Sequence, residues 1–161
     1  MNRQWVINAS PLIAIAKISL IHLLPEMCGD LVIPAGVVRE INSGPEDDPA
    51  RIWLGGVGVS YIREVEPINP IIAAWDLGLG ETHVISWAYE NSGYEAVIDD
   101  RAAKNAANSL KISVRGTLGI ILLAKQEGRL SRVKPFVEQL VQIGFRVSPS
   151  ILSAVLPLAN E

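Results

Sequence analysis

Three short apolar runs, at 4–7, 31–33 and 94–98, are each followed within a few residues by the opening of a helix. This alternation constrains the fold more than any other feature. Strands that read as continuous apolar runs need cover on both faces, and a helix between successive strands brings the next one back parallel to the last. The predicted fold class is therefore α/β: a single-domain, three-layer structure with a central parallel sheet. A chain of 161 residues is long enough to bury one core. Nearly half the residues are apolar and 19% are charged, which excludes an extended, disordered chain.

Local signals fill in the elements. Ser10 is placed to cap the first helix and Pro11 suits its first turn, so Asn8 falls where a strand ends. Pro34 opens a second helix carrying Val37, Val38 and Ile41, with Glu40 late in it. The stretch 42–49, with a glycine, two prolines and three acids, reads as a surface loop. Further strands are predicted at 57–65, 112–114 and around 146–148. Further helices are predicted from 71, over 81–90 and 134–143, and after Pro149, with a helix at 118–124 apolar all round and so buried. After Asp99 and Asp100, the helical period places Ala102, Ala103, Ala106, Ala107 and Leu110 on one face and Arg101, Lys104, Asn105 and Asn108 on the other.

Other features bound the chemistry. Cys28 is the single cysteine, which excludes an internal disulfide and every multi-cysteine zinc pattern and fits a reducing compartment. The apolar stretch 5–24 is interrupted by Asn8, Ser10-Pro11 and Lys17, and the remaining apolar runs fall short of the roughly 20 residues that span a bilayer. The expectation is a cytoplasmic protein with no membrane segment. Gly55-Gly56-Val57-Gly58 and Gly78-Leu79-Gly80 lack the dinucleotide fingerprint, and no Gly-Lys-Ser/Thr phosphate loop occurs. His22 reads as an edge-of-core residue and His83, two residues after Glu81, as one approaching the site; Trp75 and Trp87 suit a dimer surface.

Charge is unevenly distributed. Residues 1–100 hold five Lys/Arg against fourteen Asp/Glu, whereas 101–134 hold eight Lys/Arg against Glu127 alone. An acidic pole beside a basic stretch suits a polyanion: basic groups neutralise phosphates while acids gather cations. The crevice beyond the carboxyl ends of parallel strands is where α/β proteins place their sites. That rule selects Asn8, Asp99 and Asp100, with Glu40 and Glu81 on helices able to face the same crevice. Grouped carboxylates repel one another unless a cation joins them or their pKa values rise. Mg²⁺ or Mn²⁺ prefers such oxygen donors and supplies Lewis acidity and an activated water for phosphodiester hydrolysis.

The ordered motifs resemble the PIN-domain family, and within it an uncharacterised PIN-like branch. The segment 6–13, Val-Ile-Asn-Ala-Ser-Pro-Leu-Ile, is similar to the family's first motif, and Ile33-Pro34 with Val37-Val38-Arg39-Glu40 to the second. Leu79-Gly80-Glu81 is similar to the third, and Ile98-Asp99-Asp100-Arg101-Ala102-Ala103 with Arg115-Gly116-Thr117-Leu118-Gly119 to the last. The resemblance is clearest over 4–128, within a single domain of 1–161. It implies a small parallel-sheet nuclease that dimerises and cleaves RNA with Mg²⁺ or Mn²⁺, often as the toxin partnered by an antitoxin protein. Catalysis then falls to Asn8, Glu40, Glu81, Asp99 and Asp100, metal binding to Asn8, Glu81, Asp99 and Asp100, and phosphate binding to Arg101, Lys104 and Arg115. Most active PIN nucleases begin with Asp where this chain has Asn8, a neutral oxygen donor. Two readings follow: a metal-dependent ribonuclease, or a catalytically weakened PIN-like module that binds nucleic acid or a protein partner.

Overall fold

In the computed structural model, which describes residues 2–161, five parallel strands form one sheet in the order β3-β2-β1-β4-β5. The strands are β1 (Gln4–Ile7), β2 (Asp30–Pro34), β3 (Ile62–Arg63), β4 (Tyr94–Val97) and β5 (Val114–Arg115). Between and after them run α1 (Ala9–Lys17), α2 (Leu23–Met27), α3 (Ala35–Asn42), α4 (Pro49–Leu54), α5 (Pro70–Ala73), α6 (Leu79–Glu90), α7 (Arg101–Ser109), α8 (Thr117–Gln126), α9 (Lys134–Gln142) and α10 (Pro149–Leu158). The helices flank the sheet, as the alternation of apolar runs and helical periods requires.

β1 is the centre of the sheet. Trp5 pairs with Leu31 on one side and with Glu95 on the other, and Ile7 lies opposite Val97. Trp5, Val6 and Ile7 are fully buried and belong to a core that continues to Val155 in α10 and Ala159 just after it. Each buried strand of this size removes several large side chains from water, at roughly 1.5–3 kcal/mol per side chain. Because β1, β2 and β4 point the same way, Asn8, Ala35 and Ile98 leave the sheet at one common edge. The main-chain N–H of Asn8 extends the ladder by one bond, to Val97 O at 3.0 Å.

The local chemistry departs from expectation at several places. Asn8, not Ser10, occupies the position before α1, which begins two residues early; its backbone is extended and its side chain makes no capping bond. The 57–65 stretch is mostly a tight 3-10 turn, Val57–Tyr61, with only Ile62–Arg63 in strand. Here the chain curls around Trp53, which stacks on Tyr61 with ring centroids 5.8 Å apart. Gly58 lies under that ring, where an added Cβ would sit 2.4 Å from it. The last strand pairs through Val114 and Arg115 rather than 112–114, because Lys111 takes φ +61° and Ile112 still bonds back to the end of α7. Residues 146–148 form no strand; Ser148 is committed to capping α10, its hydroxyl accepting from Ile151 N–H at 3.2 Å.

Burial corrects four further readings. In α7, Ala103, Ala106 and Ala107 are buried as predicted, but Ala102 in the first turn is exposed. His22 is exposed, and α8 buries Thr117, Ile120, Ile121 and Ala124 while its other apolar residues are only half-buried. His83 faces the core rather than the crevice. Its Nδ1 accepts the Gly36 N–H at 3.0 Å, and a Cβ on Gly36 would sit 2.6 Å from the same atom, so the glycine lets α3 and α6 meet.

Glu161 ties the last helices together. Its carboxylate accepts from the N–H groups of Val133 (2.6 Å) and Lys134 (3.1 Å) at the start of α9, and from Lys125 Nζ at 2.9 Å. The two N–H groups are among those a helix start leaves without partners. These bonds, first that to Val133, pull the carboxyl from the ordinary 4.5 to about 2. An acid whose folded pKa is depressed contributes stability that is complete above its unfolded pKa and is lost as pH falls through the folded one. Glu161→Gln is therefore expected to lower the melting temperature at pH 7. It should also flatten the decline of stability between pH 4.5 and 2, read by thermal melts across that range.

Candidate active site

The sheet's carboxyl edge gathers the five residues selected by sequence, each placed by a different element. Asn8 ends β1, Glu40 lies in the last turn of α3, Glu81 in the first turn of α6, and Asp99 and Asp100 bridge β4 to α7. Asn8 is 4% exposed and its Oδ1 has no hydrogen-bond partner. An amide oxygen buried without a partner costs about 1–3 kcal/mol. It shares a cavity of about 440 Å³ with Glu40 and Glu81.

Glu40 is fixed by the opposite helix. Its Oε1 accepts the Gly80 N–H at 2.7 Å, one of the free donors in the first turn of α6. A Cβ on Gly80 would lie 2.9 Å from both Glu40 carboxylate oxygens, so the glycine in Leu79-Gly80-Glu81 makes room for a carboxylate. Glu81 follows it, with its Oε2 and Glu40 Oε1 both near Gly78. Burial raises the Glu81 pKa, and the charges of Asp100 and then Glu40 add to the rise, while a backbone bond from Gly78 opposes it. Three of the four acids thus share one electrostatic field.

The two aspartates divide their work. Asp99 is held at both oxygens by Thr117, whose N–H donates to Oδ1 at 2.9 Å and whose hydroxyl donates to Oδ2 at 2.5 Å. It lines a second cavity of about 410 Å³ together with Lys104 and Arg146. Asp100 caps α7, its Oδ2 accepting the Ala103 N–H at 3.0 Å. Ser10, Gly144 and Phe145 line both cavities, a contribution of the 143–146 segment that sequence reasoning did not find. The one available signal was an aromatic residue directly after a helix-ending glycine.

The basic residues separate on inspection. Arg115 is committed to Glu95 at 2.6 Å, Lys125 and Arg132 meet Glu161, and Arg129 meets Glu26 and Glu127. Much of the basic stretch is therefore neutralised within the fold. Arg101 is exposed and Lys104 half-buried, and neither makes an ion pair among the described residues.

No three His, Cys, Asp or Glu side chains converge closely enough among the described residues to cage a metal ion alone. The donor set nevertheless suits a hard divalent cation. Asn8 offers a buried, unpartnered oxygen beside acids that repel one another, and a hard divalent cation prefers oxygen donors of both kinds.

The fold is a parallel α/β sheet with an acidic crevice at its carboxyl edge. The chain belongs to the PIN-domain family: the family model described as a PIN domain matches residues 4–161. The match includes the C-terminal helices, beyond the stretch over which the motifs are clearest. Proteins of this family are in general metal-dependent ribonucleases. No curated protein matches the chain.

The Glu40–Gly80 contact yields a specific expectation. Gly80→Ala should expel the Glu40 carboxylate and cost about 1–3 kcal/mol through overpacking, less the roughly 1 kcal/mol that alanine returns in helix propensity. Urea denaturation measures the net loss. Metal-induced stabilisation, measured in parallel, should weaken with it.

Proposed function

We propose that this PIN-domain protein is a metal-dependent endoribonuclease using Mg²⁺ or Mn²⁺. The observation that carries the reading is Asn8 Oδ1, buried at the end of the central strand with no partner in the cavity it shares with Glu40 and Glu81. Asn8, Glu81, Asp99 and Asp100 hold the cation, which when bound supplies Lewis acidity toward a phosphodiester and an activated water. Glu40 locks α3 to the start of α6 and orders water beside Glu81.

Thr117 keeps the Asp99 carboxylate from turning. Lys104, beside Asp99, and Arg101 on the exposed face of α7 hold substrate phosphates; Arg115 holds Glu95 and acts on substrate only indirectly. We read residues 1–161 as one domain, supported by a core that runs from Trp5 to Ala159. No described helix is long and apolar enough to cross a membrane. A cytoplasmic toxin, paired with an antitoxin protein and dimeric through the face bearing exposed Trp75, completes the reading.

Replacing Asp99 and Asp100 together by Asn is expected to abolish Mn²⁺-dependent cleavage of single-stranded RNA and to leave RNA binding equal or tighter, because repulsion of phosphate is removed. Asn at position 100 can still cap α7, and Asn at position 99 keeps an oxygen for the Thr117 N–H and an amide N–H for its hydroxyl oxygen, so the fold is expected to be retained. Cleavage time courses beside filter binding check both halves. Cleavage that survives the double substitution would show that the crevice is not the reacting centre.

Asn8→Asp should strengthen Mn²⁺ binding by at least several-fold and accelerate cleavage, since a charged ligand replaces a neutral one. Calorimetric titration with Mn²⁺ reads the first effect. An unchanged affinity would place residue 8 outside the metal site.

A further inference from the structure

The two cavities at the carboxyl edge share three lining residues, Ser10, Gly144 and Phe145, of which Phe145 alone is aromatic. Both neighbouring helix ends hold it there. Gly144 takes φ +93° after α9, its N–H bonding Val141 O and that of Phe145 bonding Leu140 O at 2.9 Å. This is a helix-ending turn that glycine makes without strain. Ser148 then starts α10 three residues later. Phe145 is thus confined to a short connector fixed at both ends, half-buried against the core, with its remaining surface open to the cavities.

The two cavities that Phe145 lines differ in charge. In one lie Asn8, Glu40 and Glu81 with Lys17, so that acids outnumber bases. In the other, Lys104 and Arg146 outnumber Asp99, and neither cation is ion-paired among the described residues. A half-exposed aromatic ring shared by a reacting centre and a cationic mouth is the arrangement that receives a nucleic-acid base and its adjoining phosphate. Stacking needs an unpaired base and tolerates any of the four, because each has a π-face.

We propose that Phe145 is a stacking platform for one base of single-stranded RNA, next to the cleaved phosphodiester, while Lys104 and Arg146 hold the neighbouring phosphate. The assignment rests on the ribonuclease reading and names the residue that seats one of the substrate's unpaired bases. It gives the connector between α9 and α10 a direct role in recognition. Duplex RNA, whose bases are already stacked on one another, is excluded from this seat.

The test uses the full chain in EDTA, so that binding is separated from cleavage, and a uridine-rich ten-nucleotide RNA carrying one 2-aminopurine, whose fluorescence falls on stacking. Wild-type protein should bind and quench the probe at a defined position. Phe145→Leu, which keeps the apolar packing, should bind about tenfold or more weakly and lose the quench, and Phe145→Tyr should retain both. Arg146→Ala, at an exposed position, should reduce the salt dependence of binding by about one phosphate contact. Thermal melts identify which variants are folded; if Phe145→Leu is not, the wild-type quench and the Phe145→Tyr and Arg146→Ala variants decide the matter. Wild-type binding with no quench at any probe position, or equal binding and quench by folded Phe145→Leu, overturns the assignment and leaves the ribonuclease reading standing. A wild-type protein that neither binds nor, with Mn²⁺, cleaves the RNA overturns both.

Discussion

β1 lies between two parallel partners and is sealed from water on both faces, and the remaining elements answer to that constraint. A buried parallel strand cannot turn back on itself, so each return must be made by helices that also cover the sheet. All strands consequently finish at the same edge, where the chain must leave the ladder and enter a helix. Asn8, Pro34 and Asp99 are there because of the topology, before any chemistry is asked of them. The same edge exposes helix starts with unpaired N–H groups, and these are what the acids answer: Gly80 N–H for Glu40, Ala103 N–H for Asp100 and Thr117 N–H for Asp99. Structural and chemical demands on the carboxylates therefore coincide.

That coincidence leaves a residual imbalance. Most carboxylate oxygens at the edge have a donor, yet Glu81 remains uncomfortable beside Asp100 and Glu40, and the Asn8 oxygen has no partner at all. A protein shaped for stability alone would relieve both, by a neutral group at 81 and a hydrogen bond at 8. Retaining them lowers the stability of the empty protein and leaves attraction available for a cation.

The layered fold was legible because it depends on averages over many residues: runs of Val, Ile and Leu, helical periods, and glycine or proline at the breaks. The acids at the strand ends were legible through topology, since the rule that picks them ignores their identity. What escaped depends on single contacts. The curl of 57–61 follows from Trp53 lying over Gly58, and the seat of His83 from the absence of a Cβ at Gly36, neither of which has a local signature. The basic stretch looked like a phosphate-binding surface because its partners, Glu26, Glu95 and Glu161, lie far away in sequence. Phe145 escaped for a similar reason: residues 146–148 read as a strand, but Ser148 caps α10, and the connector before it lines both cavities.

The sheet's outer strands, β3 and β5, contain two residues each. An edge that short offers too few free N–H and C=O groups for a second chain to zip onto, so the sheet cannot be lengthened from either side. Natively folded copies therefore offer one another no long strand edge to pair with, even though the interior strands are among the most apolar stretches of the chain. Recognition between this protein and any other polypeptide must accordingly proceed through side chains displayed on helices and turns, where a single substitution can change the choice of partner without disturbing the backbone ladder.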